Sequence, residues 1–189
     1  MRVMRHLVFA FVIILPALAL AAPVAKPPTA HKPLDVLFAE LGKIGSTEEA
    51  KPIEDEIIAL FQQSGSASID LLMARAADSE KNQDLGTARK LLISVTAIAP
   101  NYAEGWRRLG ELQGLSNDDV GAMLSLQKAV TLNPRQFAAL SELADFLEDY
   151  GDKKAALATY RKVQALDPTY NDVARRVREL AKEVEGQGI

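Results

Sequence analysis

LNPRQFAAL, residues 132–140, places Pro134 just past a run with the apolar spacing of a helix. IAPNYAEGW (98–106) and LDPTYNDVA (166–174) do the same with Pro100 and Pro168. The three prolines stand 34 residues apart, twice. Proline lacks a backbone donor and pushes the residue before it out of the helical region, so each one ends a helix. Recurrence at a fixed interval means that the chain is built from copies.

Aligned on these prolines, the chain divides into blocks 69–102, 103–136 and 137–170. A large apolar residue recurs near each start (Leu72, Trp106, Leu140), then a small one four places on (Ala76, Gly110, Ala144). Twelve places later stands alanine each time (Ala88, Ala122, Ala156), followed by Leu92, Leu126 or Tyr160 and by Val95, Ala129 or Val163. Each block therefore reads as two helices joined by a polar turn, at 82–84, 116–118 and 151–152. The small residues let the paired helices approach, and the large ones fill the space beside them. Pro134 separates one copy from the next.

A 34-residue helix–turn–helix unit of this pattern resembles the tetratricopeptide repeat. In the second block the family's eight signature positions read Trp106, Leu109, Gly110, Gln113, Ala122, Leu126, Ala129 and Pro134. Only Gln113 departs, at a place where an aromatic or leucine is usual. The third block reads Leu140, Leu143, Ala144, Leu147, Ala156, Tyr160, Val163 and Pro168, with only Val163 unusual. The first block is weaker, with Arg75 and Ser79 at apolar positions. The resemblance implies an all-α, right-handed solenoid of about three repeats.

The flanks extend this reading. Leu34, Leu37, Phe38, Leu41 and Ile44, then Ile53, Ile57, Leu60 and Phe61, form helical apolar stripes. Residues 46–49, STEE, have the form of a capping box, and Pro52 leaves the start of that helix open. Residues 34–66 thus read as a degenerate repeat with a shortened turn, ended by SGSAS at 64–68. Residues 171–185 form one more amphipathic helix through Val173, Val177, Leu180 and Val184, with Thr169 and Asp172 as its capping box. Arg178 falls where the blocks carry Ala76, Gly110 and Ala144, so the helical domain (34–186) closes there with a solvating cap.

The first 21 residues read as a secretory signal: Arg2 and Arg5, an apolar run from 7 to 22 containing Pro16, and Ala19-Leu20-Ala21 before the cut. The run has 16 residues, short of the roughly 20 that span a bilayer. Cleavage after Ala21 implies export, to the periplasm in a Gram-negative cell, with no membrane insertion of the mature chain. The alternative is an uncleaved anchor that tethers a structural assembly factor. Residues 22–33 hold four prolines and read as an extended linker.

Without Arg2 and Arg5 the chain keeps 20 basic residues against 25 acidic ones, a net of −5. With no basic block, nucleic acid is a poor partner. There is no cysteine, and His6 and His31 fall before the helical domain, which removes disulfides, cysteine and histidine nucleophiles and most transition-metal sites. No phosphate-binding or dinucleotide pattern occurs. The expectation is a non-enzymatic adaptor without cofactor or metal. The oligomeric state is open.

The resemblance implies that the first helix of each block lines a concave groove for a peptide or protein segment. Its geometry places Asp70, Met73 and Ala77 there, then Glu104, Arg107, Arg108 and Glu111, then Ala138, Ser141, Glu142, Asp145 and Asp149. Glu104–Arg108 and Arg107–Glu111 are four apart and suited to pair along a solvated face. Some family members clamp a C-terminal carboxylate with basic residues. The matching positions here are Met73, Ala77, Arg108, Ala138 and Glu142, where only Arg108 fits, so a chaperone-tail adaptor is not expected. Trp106 reads as core and Met73 as a filler or an adaptable contact.

Overall fold

The computed structural model describes residues 32–186. The segment read as a secretory signal, most of the expected linker, His6 and His31 lie outside the described residues. Among the described residues the chain is all helical: α1 (Leu34–Leu41), α2 (Thr47–Phe61), α3 (Ala67–Lys81), α4 (Leu85–Ile98), α5 (Ala103–Leu115), α6 (Asp119–Leu132), α7 (Phe137–Asp149), α8 (Lys153–Leu166) and α9 (Val173–Val184). Helices α3 to α8 are the three helix pairs that the prolines delimit.

Each pair is closed at its turn by the same device. Gln83, Asn117 and Gly151, 34 residues apart, all have positive φ (61°, 59° and 84°). The next residue is aspartate each time. Asp84, Asp118 and Asp152 accept the backbone N–H of Thr87, Gly121 and Ala155 at 3.0, 3.1 and 3.0 Å. One left-handed residue reverses the chain, and the aspartate caps the second helix, worth about 1 kcal/mol each. Glycine adopts this backbone without strain, which suits Gly151.

The far ends follow from the prolines. Ala99, Asn133 and Asp167, each directly before one, leave the helical region with ψ of 68°, 92° and 100°. Between these ends Ala88, Ala122 and Ala156 are fully buried, as are Leu126 and Val163. Gln113 has a local explanation: its side-chain amide meets the Oγ of buried Ser125 at 2.6 Å. A polar pair thus replaces the usual apolar contact inside the second repeat.

Helix α9 closes the stack with Val173 and Leu180 buried and Arg178 exposed. The expected capping box does not form. A 3₁₀ turn, Tyr170–Asp172, leads into the helix instead, and Asp172 lies in the left-handed region at φ 58° without a side-chain cap bond. That backbone turns the carboxylate toward Arg175, 3.6 Å away.

The N-terminal pair departs further from expectation. Ser46 does cap α2, accepting the Glu49 N–H at 3.3 Å, and the helix runs on through exposed Pro52. The pair, however, does not lead the stack as a degenerate repeat. Phe38 stands edge-on to Phe137 (6.3 Å between ring centres) and beside Phe61 (6.4 Å), while Phe137 meets Tyr170 at 4.8 Å. The Arg135 guanidinium lies 4.1 Å over the Phe38 ring and reaches Asp35 at 2.5 Å. At the other end the Tyr102 hydroxyl donates to the Gln62 carbonyl at 2.6 Å. Helix α2 therefore crosses the turns between repeats. The reason lies in what each surface offers: α3 has Arg75 and Ser79 where a preceding pair would pack, whereas Phe137 and Tyr170 present aromatic surface.

This crossing buries Glu54 against Asp167, with Glu54 Oε1 and Asp167 Oδ2 both lacking a hydrogen-bond partner. Burial, then the charge of Asp167, raises the Glu54 pKa from 4.5 to about 7. A raised carboxyl pKa favours the fold at low pH. The cost of ionisation builds from about pH 4.5 and is complete above about pH 7. Glu54→Gln removes that cost and should stabilise the fold at pH 8 by on the order of 2–3 kcal/mol, with little difference near pH 4.5. Thermal unfolding of both proteins across this range is the check. Parallel pH profiles would show that Glu54 does not titrate against Asp167.

Candidate binding groove

The first helices of the pairs, α3, α5 and α7, lie side by side, and their facing residues are joined by ion pairs. Arg107 is the hub. It donates to Glu104 at 2.8 and 2.9 Å, to Glu111 at 3.2 Å and to Glu142 at 2.6 Å. Its side chain is only 12% exposed, and that of Glu104 4%. Burial opposes the Arg107 charge, but the glutamates outweigh it and hold its pKa above the ordinary value. Glu142 is pushed up to about 7, first by burial, against the pull of Arg107 and with the help of Glu111 and Glu104.

The expected Arg107–Glu111 pair is present. The Glu104–Arg108 pair is not: Glu104 turns to Arg107, and Arg108 crosses to Glu80 of α3 at 2.7 Å, with Glu111 at 3.5 Å. An interhelix partner that is itself shielded from water outcompetes an i,i+4 neighbour on an open face. Arg108 is therefore engaged and not held ready for a ligand carboxylate.

The remaining sequence-derived positions divide by exposure. Asp70 is exposed and accepts from the Ser64 hydroxyl at 2.5 Å. Met73 packs on the core beside Ala76 and Leu92, the filler role. Trp106 is partly buried against two core clusters and donates its indole N–H to the Pro100 carbonyl at 2.9 Å. Ser141 is buried and lines none of the pockets described below, whereas Glu104, though buried, still contributes to the wall of the pocket between α3 and α5. They face inward because α7 and α5 turn these positions toward neighbouring helices. Asp145 is exposed and accepts from the Tyr160 hydroxyl.

Two open pockets result. One, about 250 Å³, lies between α3 and α5 and is lined by Asp70, Met73, Ala77, Tyr102 and Arg108, among others. The other, about 220 Å³, lies between α5 and α7, where Leu115 and Phe146 sit among Glu111, Glu142 and Asp145. Between them, α2 lies over Glu104, Arg107 and Ala138. The repeat pattern alone does not reveal Leu115, Phe146 or the aromatic seat of α2. A signal exists: Phe137 opens its block where Ile69 and Ala103 open the others, and Tyr102, Gln136 and Tyr170 close the three blocks. Among the described residues no group of three or more acidic or histidine side chains is placed to hold a metal, and no helix is long and apolar enough to cross a membrane.

No family model matches the chain. A TPR repeat-containing protein of Rhizobium etli is 29% identical over 153 residues, covering 81% of this chain and 75% of that protein. Among solved structures, the Sgt2 TPR domain from Aspergillus fumigatus superposes with a TM-score of 0.56 at 19% identity, over 64% of this chain and 81% of that one. The Yersinia enterocolitica type III secretion chaperone SycD, in complex with a peptide of the translocator YopD, gives 0.57 at 13% identity, over 62% and 95%. By repeat length, residue pattern and fold, this chain has the stacked helix pairs of tetratricopeptide-repeat proteins and is similar in sequence to one of them.

Proposed function

We propose that the protein is a non-enzymatic interaction scaffold of the cell envelope that holds a peptide or protein segment in the groove formed by α3, α5 and α7. The observation that carries this reading is the pair of open pockets flanking the Arg107 hub, each sized for side chains of a partner. Arg107 ties α5 to α7 through Glu142 and Arg108 ties α5 to α3 through Glu80, so the pockets between these helices are preformed. The SycD complex with a YopD peptide supports the choice of a peptide as ligand. Export to the periplasm rests on the N-terminal signal pattern. A mature chain beginning at Ala22 on N-terminal sequencing supports it, and one retaining Met1 replaces it with the tethered reading.

Leu115 is 66% exposed in the α5–α7 pocket, so Leu115→Lys changes the groove without disturbing the core. Leu124, 68% exposed on α6, provides a control at equal exposure. In crosslinking from an envelope extract, wild type and Leu124→Lys should capture the same partner and Leu115→Lys should lose at least tenfold. Equal capture by all three would place the functional surface outside the groove.

A further inference from the structure

The open pocket between α5 and α7, about 220 Å³, combines apolar surface with negative charge. Leu115 and Phe146 supply the apolar surface, Glu111, Glu142 and Asp145 supply three carboxylates, and no basic side chain lines it. A ligand can reach these carboxylates: Asp145 is exposed, and the side chains of Glu111 and Glu142 are 40% and 29% exposed. Gly114 leaves room beside Phe146, since a Cβ there would lie 2.8 Å from the ring carbon Cζ. The surrounding charges do not balance. Arg107 answers Glu104, Glu111 and Glu142 with one positive charge. Arg108 pairs with Glu80 and Arg176 with Glu148, each at 2.7 Å. Asp145 accepts from the neutral Tyr160 hydroxyl. With all of these ionised, two glutamate charges and that of Asp145 are left over, a net of −3. Burial, with Glu111 and Glu104 adding to it, pushes Glu142 up to about 7, and burial with Asp149 raises Asp145. A bound cation would relieve both.

Charge and surface together define the ligand. An acidic side chain is repelled. A neutral apolar one covers Leu115 and Phe146 but takes water from the carboxylates without replacing it. A lysine ammonium is a strongly hydrated point charge. A guanidinium is planar, more weakly hydrated, packs against aromatic surface and bonds two carboxylates at once. Glu111 of α5 and Glu142 of α7 already converge on one nitrogen of Arg107, Nη1, at 3.2 and 2.6 Å, so their carboxylates stand close enough to be bridged. We propose that the α5–α7 pocket takes an arginine side chain of the partner segment, its guanidinium among Glu111, Glu142 and Asp145 and its methylenes against Leu115 and Phe146. That the arginine belongs to a bound segment rests on the groove reading above; the selection for its charge does not.

The test is an NMR titration of the purified protein, reading Leu115 and Phe146 in the pocket and Leu124, exposed on α6, as a reference outside it. The probes are capped tripeptides with leucine on either side of arginine, lysine or citrulline, and methylguanidinium alone. The arginine peptide should shift Leu115 and Phe146 but not Leu124. It should bind about tenfold tighter than the citrulline peptide, which has nearly the same shape without the charge, and a few-fold tighter than the lysine peptide. Asp145→Asn should weaken it at least threefold with the thermal midpoint retained. Asp149→Asn, the same charge change at an exposed residue outside the pocket lining, should weaken it less than twofold. Equal affinity for the arginine and citrulline peptides, equal effects of the two variants, or no shift at Leu115 overturns the proposal. A lysine peptide that binds as tightly as the arginine one overturns the choice of a guanidinium. Methylguanidinium binding as tightly as the arginine peptide overturns the peptide source. The groove reading is separable: it falls if Leu115→Lys captures the partner as wild type does, whatever the titration shows, and it stands if capture is lost while arginine and citrulline bind alike.

Discussion

Gly110→Leu should cost about 3 kcal/mol and lower the thermal midpoint by several degrees. A Cβ at Gly110 would lie 2.8 Å from Leu126 Cγ and 3.1 Å from the Ala122 backbone oxygen. The side chain has a rotamer to change, but the backbone oxygen belongs to α6 and moves only with its helix. Leucine adds three further carbons to that contact, so α5 and α6 must separate and the core beside them opens. Gly110→Ala combines a smaller clash with a gain in helix propensity of up to about 1 kcal/mol, so its loss should be much less. Gly45, with nothing within 4 Å of its Cβ position, provides a reference substitution. If Gly110→Leu and Gly45→Ala unfold at the same temperature, α5 does not pack on α6 through this residue.

Arg107→Met should be at least as damaging, at about 3–5 kcal/mol near neutral pH. The substitution keeps most of the volume and removes the charge. Glu104, 4% exposed, then loses two of its hydrogen bonds, and Glu142 and Glu111 lose their shared partner. The loss must depend on pH in a defined direction. Without Arg107 the glutamates resist ionisation, so the variant binds protons that wild type does not. Its deficit should be largest at pH 8 and shrink toward pH 5, measured by urea unfolding. Arg107→Lys should fall between, because one ammonium cannot span three carboxylates as the guanidinium does. A deficit that is constant from pH 8 to 5 would mean that Arg107 contributes packing and not charge pairing.

The groove is partly legible in the amino-acid order. Glu104, Arg107, Arg108, Glu111 and Glu142 are marked by their places in the repeat, and the fold brings all five into one network of ion pairs. Their partners are not legible there. Whether Arg108 turns to Glu104 or to Glu80 depends on the distance between α5 and α3, a property of the stacked pair and not of either helix.

What the sequence determined by itself is everything that acts within one repeat. The 34-residue interval, the aspartate after each turn and the residue pushed out of helix before each proline are local, since their causes lie within four residues along the chain. Small and large residues at equivalent positions then specify how the two helices of a pair meet. Tertiary structure alone decided what lies between distant segments. Residues 34–61 have the stripes of a repeat, yet nothing in their pattern says which surface receives them. Phe137 and Tyr170, about 100 residues away, offer more aromatic surface than α3 does. Burial free energy follows area and carries no memory of chain order, so α2 crosses the turns between repeats instead of leading the stack.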